Sequence, residues 1–268
     1  MKDTEFTIRP FDMRKIKKES IIVLLGKRNT GKSILVRDIL FHKRDIQIGA
    51  VVSHTDHLTH FYDNFIPSIL INKEYTTSIL EKLFDRQKKA IEGDWNKPHA
   101  FLLFDDCLSD AKTWSKDRYI KELFFNGRHY KLLFILAMQI PLGIPPSMRT
   151  NVDFTFILKN NNNADREKIY KNYAGMFSTK AHFESVLDAC TEDYNCLVID
   201  NTSQSNKIED QVFYYKADLQ GTSDFKLCSR NIWEISEKKK QSISPNMKTK
   251  VSDRGNCKIT VNRKLSKK

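Results

Sequence analysis

Residues 21–40, IIVLLGKRNTGKSILVRDIL, constrain the fold more than any other stretch of this chain. An apolar run (Ile21 to Leu25) has the length of a buried strand. A tight loop (Gly26 to Gly31) follows, and a helical pattern opens at Lys32. The loop matches G-x-x-x-x-G-K-[ST], the phosphate-binding P-loop. Gly26 and Gly31 allow backbone angles that a Cβ forbids, so the N–H groups of Lys27, Arg28, Asn29 and Thr30 can turn inward as an anion nest. The following helix points its positive end at the same place. Lys32 adds a full charge for the β and γ phosphates, and the Ser33 hydroxyl is placed to hold Mg²⁺. The expected ligand is therefore ATP with Mg²⁺.

A second chemical feature lies downstream. HAFLLFDDC contains an apolar run, Ala100 to Phe104, of the continuous kind seen in parallel strands buried on both faces. It ends in Asp105 and Asp106, at the carboxyl end where open α/β sheets place their ligands. An acid there can complete the Mg²⁺ shell with Ser33, a role given to Asp105. The next acid, Asp106, can orient and deprotonate water. A further apolar run, Leu132 to Met138, ends in Gln139, whose amide is expected to reach the γ phosphate or the water.

Around these motifs the pattern alternates strands and helices. Ile48 to Val52 reads as a second strand. Residues 74–92 read as a helix with Ile79, Leu80, Leu83, Phe84 and Ile91 on one face. Residues 111–130 read as mostly helical, 152–158 as a fifth strand, and 181–190 as a helix. Residues 196–200 and 210–218 read as a β-hairpin. Residues 1–20 form a lead-in with a basic cluster at Arg14, Lys15, Lys17 and Lys18, residues 21–235 the α/β domain, and residues 236–268 a disordered tail. His54, His57 and His60 recur at intervals of three, but with no fourth ligand nearby they read as surface groups rather than a zinc site.

Charge separates the tail from the rest. The formal net charge is +12, yet residues 238–268 hold eleven Lys and Arg against one Asp, so the remainder is close to neutral. A flexible basic arm suits a polyanion, nucleic acid first. No apolar run approaches the ~20 residues of a membrane span, and MKDTEFTIRPFDMRK lacks the apolar core of a signal peptide. Five cysteines (Cys107, Cys190, Cys196, Cys228, Cys257) show no metal-ligand pairing and are read as free thiols.

With GKRNTGKS (26–33), FLLFDDC (101–107), FILAMQIP (134–141) and SMRTNVD (147–153) in place, the chain resembles the genome-packaging ATPases of large nucleocytoplasmic DNA viruses. These are a branch of the FtsK–HerA class of P-loop motors, and the resemblance spans residues 21–216. It implies an additional-strand α/β fold: a central, mainly parallel sheet, helices on both faces, the Gln-bearing strand between the P-loop strand and the acid-bearing strand, and a C-terminal β-hairpin at the edge. It further implies a homo-oligomeric ring around double-stranded DNA, a capsid or portal partner, and action in the cytoplasm of the infected host cell or in the virion. Lys32 and Ser33 would bind nucleotide and metal, Asp105 would serve Mg²⁺, Asp106 the water, and Gln139 the γ phosphate. A neighbouring subunit would supply an arginine, Arg149 as first choice and Arg128 as second. Two other functions suit a P-loop. One is a nucleotide or small-molecule kinase, for which no compact arginine-rich lid is visible. The other is a nucleotide-gated assembly adaptor, against which Asp106 and Gln139 argue.

Overall fold

The computed structural model describes residues 7–107, 116–139, 141 and 143–243. Nine strands form one sheet: β1 (Arg9–Pro10), β2 (Ile21–Leu25), β3 (Gly49–Ser53), β4 (Ile71–Asn72), β5 (Ala100–Asp105), β6 (Leu132–Met138), β7 (Phe154–Ile157), β8 (Asn195–Asp200) and β9 (Val212–Lys216). Their spatial order is β1-β9-β8-β7-β2-β6-β5-β3-β4. Only β8 pairs antiparallel, with β7 and with β9; the other pairs are parallel. The fold is α/β, and β6 separates β2 from β5 as expected.

The continuous apolar runs explain this arrangement. Every residue of β2, β3, β5 and β6 is buried, because helices cover both faces of the parallel sheet. On β2, Ile21, Val23 and Leu25 enter the core on one face. Ile22 and Leu24 enter the core on the other, as a period of two requires. The first face is covered by α3 (Thr77–Glu92), α4 (Arg118–Asn126), α6 (Asn163–Tyr173) and α7 (Lys180–Cys190). The second is covered by α1 (Lys32–His42), the residues before β2, and Tyr62, Phe65 and Ile66. The short helices α2 (Asp56–Thr59) and α5 (Pro146–Arg149) lie in connections.

Buried polar side chains fasten helices to strands. Gln87 on α3 is fully buried, and its Nε2 donates to Tyr130 O at 2.6 Å and Pro98 O at 3.0 Å. One amide thus holds the chain just before β5 and just before β6. On the other face, Asp38 of α1 accepts from the Tyr215 hydroxyl at 2.6 Å, joining that helix to β9.

Several expected boundaries move. Ile91 is exposed; Gln87 and Ala90 take the buried face of α3 instead. The residues before β2 are part of the fold, not merely a lead-in. β1 pairs with β9, so the edge strand beyond the C-terminal hairpin comes from the start of the chain. Phe11 is buried with its ring edge-on to Phe154, Phe156 and Phe213, centroids 5.5 to 5.7 Å apart. Near the other terminus, α8 (Arg230–Ile243) runs past residue 236, where the tail was expected to begin. Ser236 is buried and its hydroxyl lies 2.9 Å from that of Ser68. Residues 244–268, and with them Cys257 and most of the basic tail, lie outside the described residues, as do residues 111–115 of the expected helix.

Phe11→Ala should lower the free energy of unfolding by about 3 kcal/mol, the usual cost of emptying a buried phenylalanine site. Urea denaturation checks this; a change under about 0.5 kcal/mol would mean that the residues before β2 do not dock.

Candidate functional site

The P-loop joins β2 to α1, and its geometry follows from close packing. A Cβ at Gly26 would lie 2.7 Å from Thr30 Oγ1 and 3.0 Å from a methyl of Leu158, so no larger residue enters there. Gly31 has φ +93° and caps α1, a conformation that favours glycine. Asn29 is also left-handed, at φ +63°. The Thr30 hydroxyl donates to Lys27 O at 2.8 Å and closes the turn.

Lys32, in the first turn of α1, is 6% exposed. Its ammonium lies 2.7 Å from Asp106 Oδ1 and donates to Gly26 O at 3.3 Å. The other Asp106 oxygen accepts from Gln139 Nε2 at 2.7 Å. One chain of charge-assisted contacts therefore crosses the carboxyl ends of β2, β6 and β5. Asp106 reaches Lys32 from a left-handed backbone, φ +49°, held by its N–H donating to Ala137 O. A non-glycine residue in that region is uncommon, and such strain collects at functional sites.

Asp105 occupies a different environment one residue earlier. It is 6% exposed, and Oδ2 accepts from the Tyr62 hydroxyl at 2.8 Å. The Ser33 side chain neighbours the same phenol. Oδ1 of Asp105 is buried and has no partner. Burial pushes the Asp105 carboxyl up to about 6, opposed by the Tyr62 hydrogen bond and assisted by the charge of Asp106. An orphaned carboxylate oxygen, with a serine on the far side of the same tyrosine hydroxyl, is the kind of oxygen donor set a hard divalent cation takes. The residues present therefore fit Mg²⁺.

Lys32, Ser33, Asp105, Asp106 and Gln139 thus lie together at the carboxyl ends of β2, β6 and β5, the cleft of the candidate site. Arg128 and Arg149 do not join it. Arg128 is exposed and precedes β6, where it lines a cavity of about 410 Å³ with Lys15, Lys17 and Asp153 at the amino ends of the strands. Arg149 bonds Asn172 Oδ1 and lies 5.6 Å from the centre of the Tyr173 ring, at the far end of α6 from the P-loop. Neither touches the cleft of its own subunit. Tyr62 is the site residue that motif reading missed. Its segment has no regular period, and its partner is 43 residues away. Among the described residues no group of His, Cys, Asp and Glu is arranged as a preformed metal cluster. His60 lies 3.7 Å from Asp63 in a surface pair.

The Asp105 environment sets a pH dependence for the metal-free protein. In the folded state this carboxyl titrates near 6, above its ordinary 3.8. Between those values the folded chain keeps a proton that the unfolded chain has lost. The contribution to stability is thus full below the ordinary value and is lost as pH rises through 6, by roughly 3 kcal/mol. Asp105→Asn should accordingly gain on the native protein by roughly that amount between about pH 4 and about pH 8. Parallel stability–pH curves for the two proteins would contradict the assignment.

Comparison with known proteins shows the family and the fold. The Poxvirus A32 protein family model matches residues 9–226. A protein of Acanthamoeba polyphaga mimivirus is 41% identical over 225 residues, covering 81% of this chain and 79% of its own. A protein of Invertebrate iridescent virus 6 is 41% identical over 238 residues, covering 84% and 92%. Among solved structures, the genome packaging NTPase B204 of Sulfolobus turreted icosahedral virus 2, in complex with AMPPCP, superposes with a TM-score of 0.55 at 18% identity, over 76% of this chain and all of that one. The DNA-packaging ATPase B204 of Sulfolobus turreted icosahedral virus gives 0.56 at 17%, over 75% and 98%. At such identity these two structures speak to the fold alone. The family match covers most of the chain and includes every element of the cleft, so this protein belongs to the Poxvirus A32 protein family.

Proposed function

We propose that this chain is an ATP-hydrolysing motor that drives viral double-stranded DNA into a preformed capsid. The observation that carries the reading is the linked set Lys32–Asp106–Gln139 beside a buried, half-satisfied Asp105. A kinase or a passive adaptor has no need of an acid and an amide poised together beside the P-loop lysine. The names of the similar structures point the same way, since they describe a genome-packaging NTPase and a DNA-packaging ATPase.

In this reading the triphosphate lies along the P-loop, with its backbone N–H groups and the α1 N-terminus on the phosphate oxygens. Lys32 exchanges Asp106 for the β and γ phosphates. Asp106, released from its cation, accepts a proton from the attacking water, and Gln139 orients that water or the γ phosphate. Positioning and electrostatic stabilisation account for most of the catalysis in phosphoryl transfer. Mg²⁺ would be held by Ser33 and Asp105 and would neutralise charge on the phosphate oxygens. Tyr62 keeps Asp105 oriented toward that site.

An arginine that completes the site has to come from a neighbouring subunit, which would make a homo-oligomeric ring catalytically necessary. Arg149 and Arg128 remain the candidates; Arg149 would have to leave Asn172 and Tyr173 to act. The basic residues of 244–268 would contact DNA phosphates, and a capsid or portal component would anchor the ring. Assembly would take place in the cytoplasm of the infected cell. No described helix is long and apolar enough to cross a membrane.

Phosphate release measured with and without duplex DNA tests the reading. The native chain should hydrolyse ATP faster with DNA, and Lys32→Ala should be inactive. Asp106→Asn should lose about 10²- to 10⁴-fold in turnover while still binding ATP. Arg149→Ala should bind ATP but hydrolyse it poorly. No release by the native chain under either condition would refute the motor.

A further inference from the structure

A second cavity, of about 460 Å³, adjoins the P-loop on the flank away from Asp105 and Asp106. Its walls include Asn29 and Thr30 of the loop, Lys159 and Asn161 after β7, and Tyr194 and Asn195 at the start of β8. The sheet order puts β7 against β2 on one side and β6 on the other, so the two clefts share the P-loop as a common wall. The volume is within the range of pockets that take small organic ligands.

Tyr194 is the unusual residue here. It is 70% exposed, the second most exposed large apolar side chain among the described residues. Its ring edge lies 3.7 Å from where a Cβ on Gly31 would stand, so it leans over the loop. Both Asp193 and Tyr194 have left-handed backbones, with φ of 51° and 59°. Two such residues in succession, one of them bulky, persist only where the surroundings impose them. Asn195 Nδ2 donates to Glu192 O at 2.6 Å across the turn, and Lys216 pairs with Asp193 from β9. The strain holds an aromatic face out of the core, beside a polar cavity, at the edge of a phosphate-binding loop.

The direction of the ligand follows from the first cleft. Lys32, Asp106 and Gln139 set the terminal phosphate on the β6 flank of the loop. The chain of phosphates is linear, so its other end leaves on the β7 flank, where this cavity opens. We propose that the cavity takes the nucleoside of a nucleoside triphosphate, with the base stacked on Tyr194 and its polar edge facing the side-chain amides of Asn161 and Asn195. This rests on the cleft being a triphosphate site, as read above. A tyrosine face suits any base, because stacking uses the π surface; the amides add hydrogen bonds at the edge.

The test is titration calorimetry on the full chain with Mg²⁺, comparing the non-hydrolysable analogue AMPPCP with inorganic tripolyphosphate. Tyr194→Ala should weaken the analogue about 10-fold, as losing one base–aromatic stack does. It should leave tripolyphosphate within about twofold, and Tyr194→Phe should bind both like the native chain. Unchanged affinity for the analogue in Tyr194→Ala would overturn the proposal. So would equal weakening of both ligands, which would make Tyr194 a packing support for the P-loop. A native chain that binds neither ligand would refute the triphosphate reading together with this one, whereas the first two results would leave that reading intact.

Discussion

Everything at the site depends on a cation held under the ends of three neighbouring strands. The Lys32 side chain is almost wholly removed from water, and among the described residues the only full charge hydrogen-bonded to it is the carboxylate of Asp106, 2.7 Å away. Taking an ammonium out of water costs several kcal/mol, and a pair must have good geometry to offset that. The cleft meets this requirement by strain and by a third group: a left-handed backbone turns Asp106 inward, and Gln139 occupies its second oxygen.

The tandem acids show how one residue of separation produces two chemistries. Asp105 belongs to strand β5 and points into a nearly dry environment, where Tyr62 supplies one donor and the other oxygen has none. Its affinity for a proton rises for the reason that its affinity for a divalent cation should: the charged form lacks partners. Asp106 lies just past the strand and is less buried; it is fully engaged by Lys32 and Gln139. The two acids are thus distinguished by burial and partner, not by residue type.

The cleft was largely legible in the sequence because its chemistry is local. A loop that wraps phosphate with backbone N–H groups needs glycines at set positions, and a buried parallel strand needs an unbroken apolar run. Gly26, Gly31, Asp105 and Gln139 are therefore visible without a structure. Tyr62 was not, since its role depends on a contact made only after β3, β5 and α1 assemble. Phe11 was overlooked because a two-residue strand leaves no period to detect. The run of lysines at 238–240 hid the helix beneath it, where Ser236 and Trp233 make the inward contacts. Arg128 shows a placement that the strand pattern alone does not give. It flanks a strand as expected, but it precedes β6, which puts it at the amino end of the sheet.

The central claim is that Lys32 serves two partners in turn, the Asp106 carboxylate at rest and the triphosphate when nucleotide binds. A crystal structure with Mg²⁺ and a non-hydrolysable ATP analogue tests it most directly. The Lys32 ammonium should be found on the β and γ phosphates, with Asp106 freed toward an ordered water and Asp105 beside the metal. An analogue bound with the Lys32–Asp106 contact still at 2.7 Å would contradict the account.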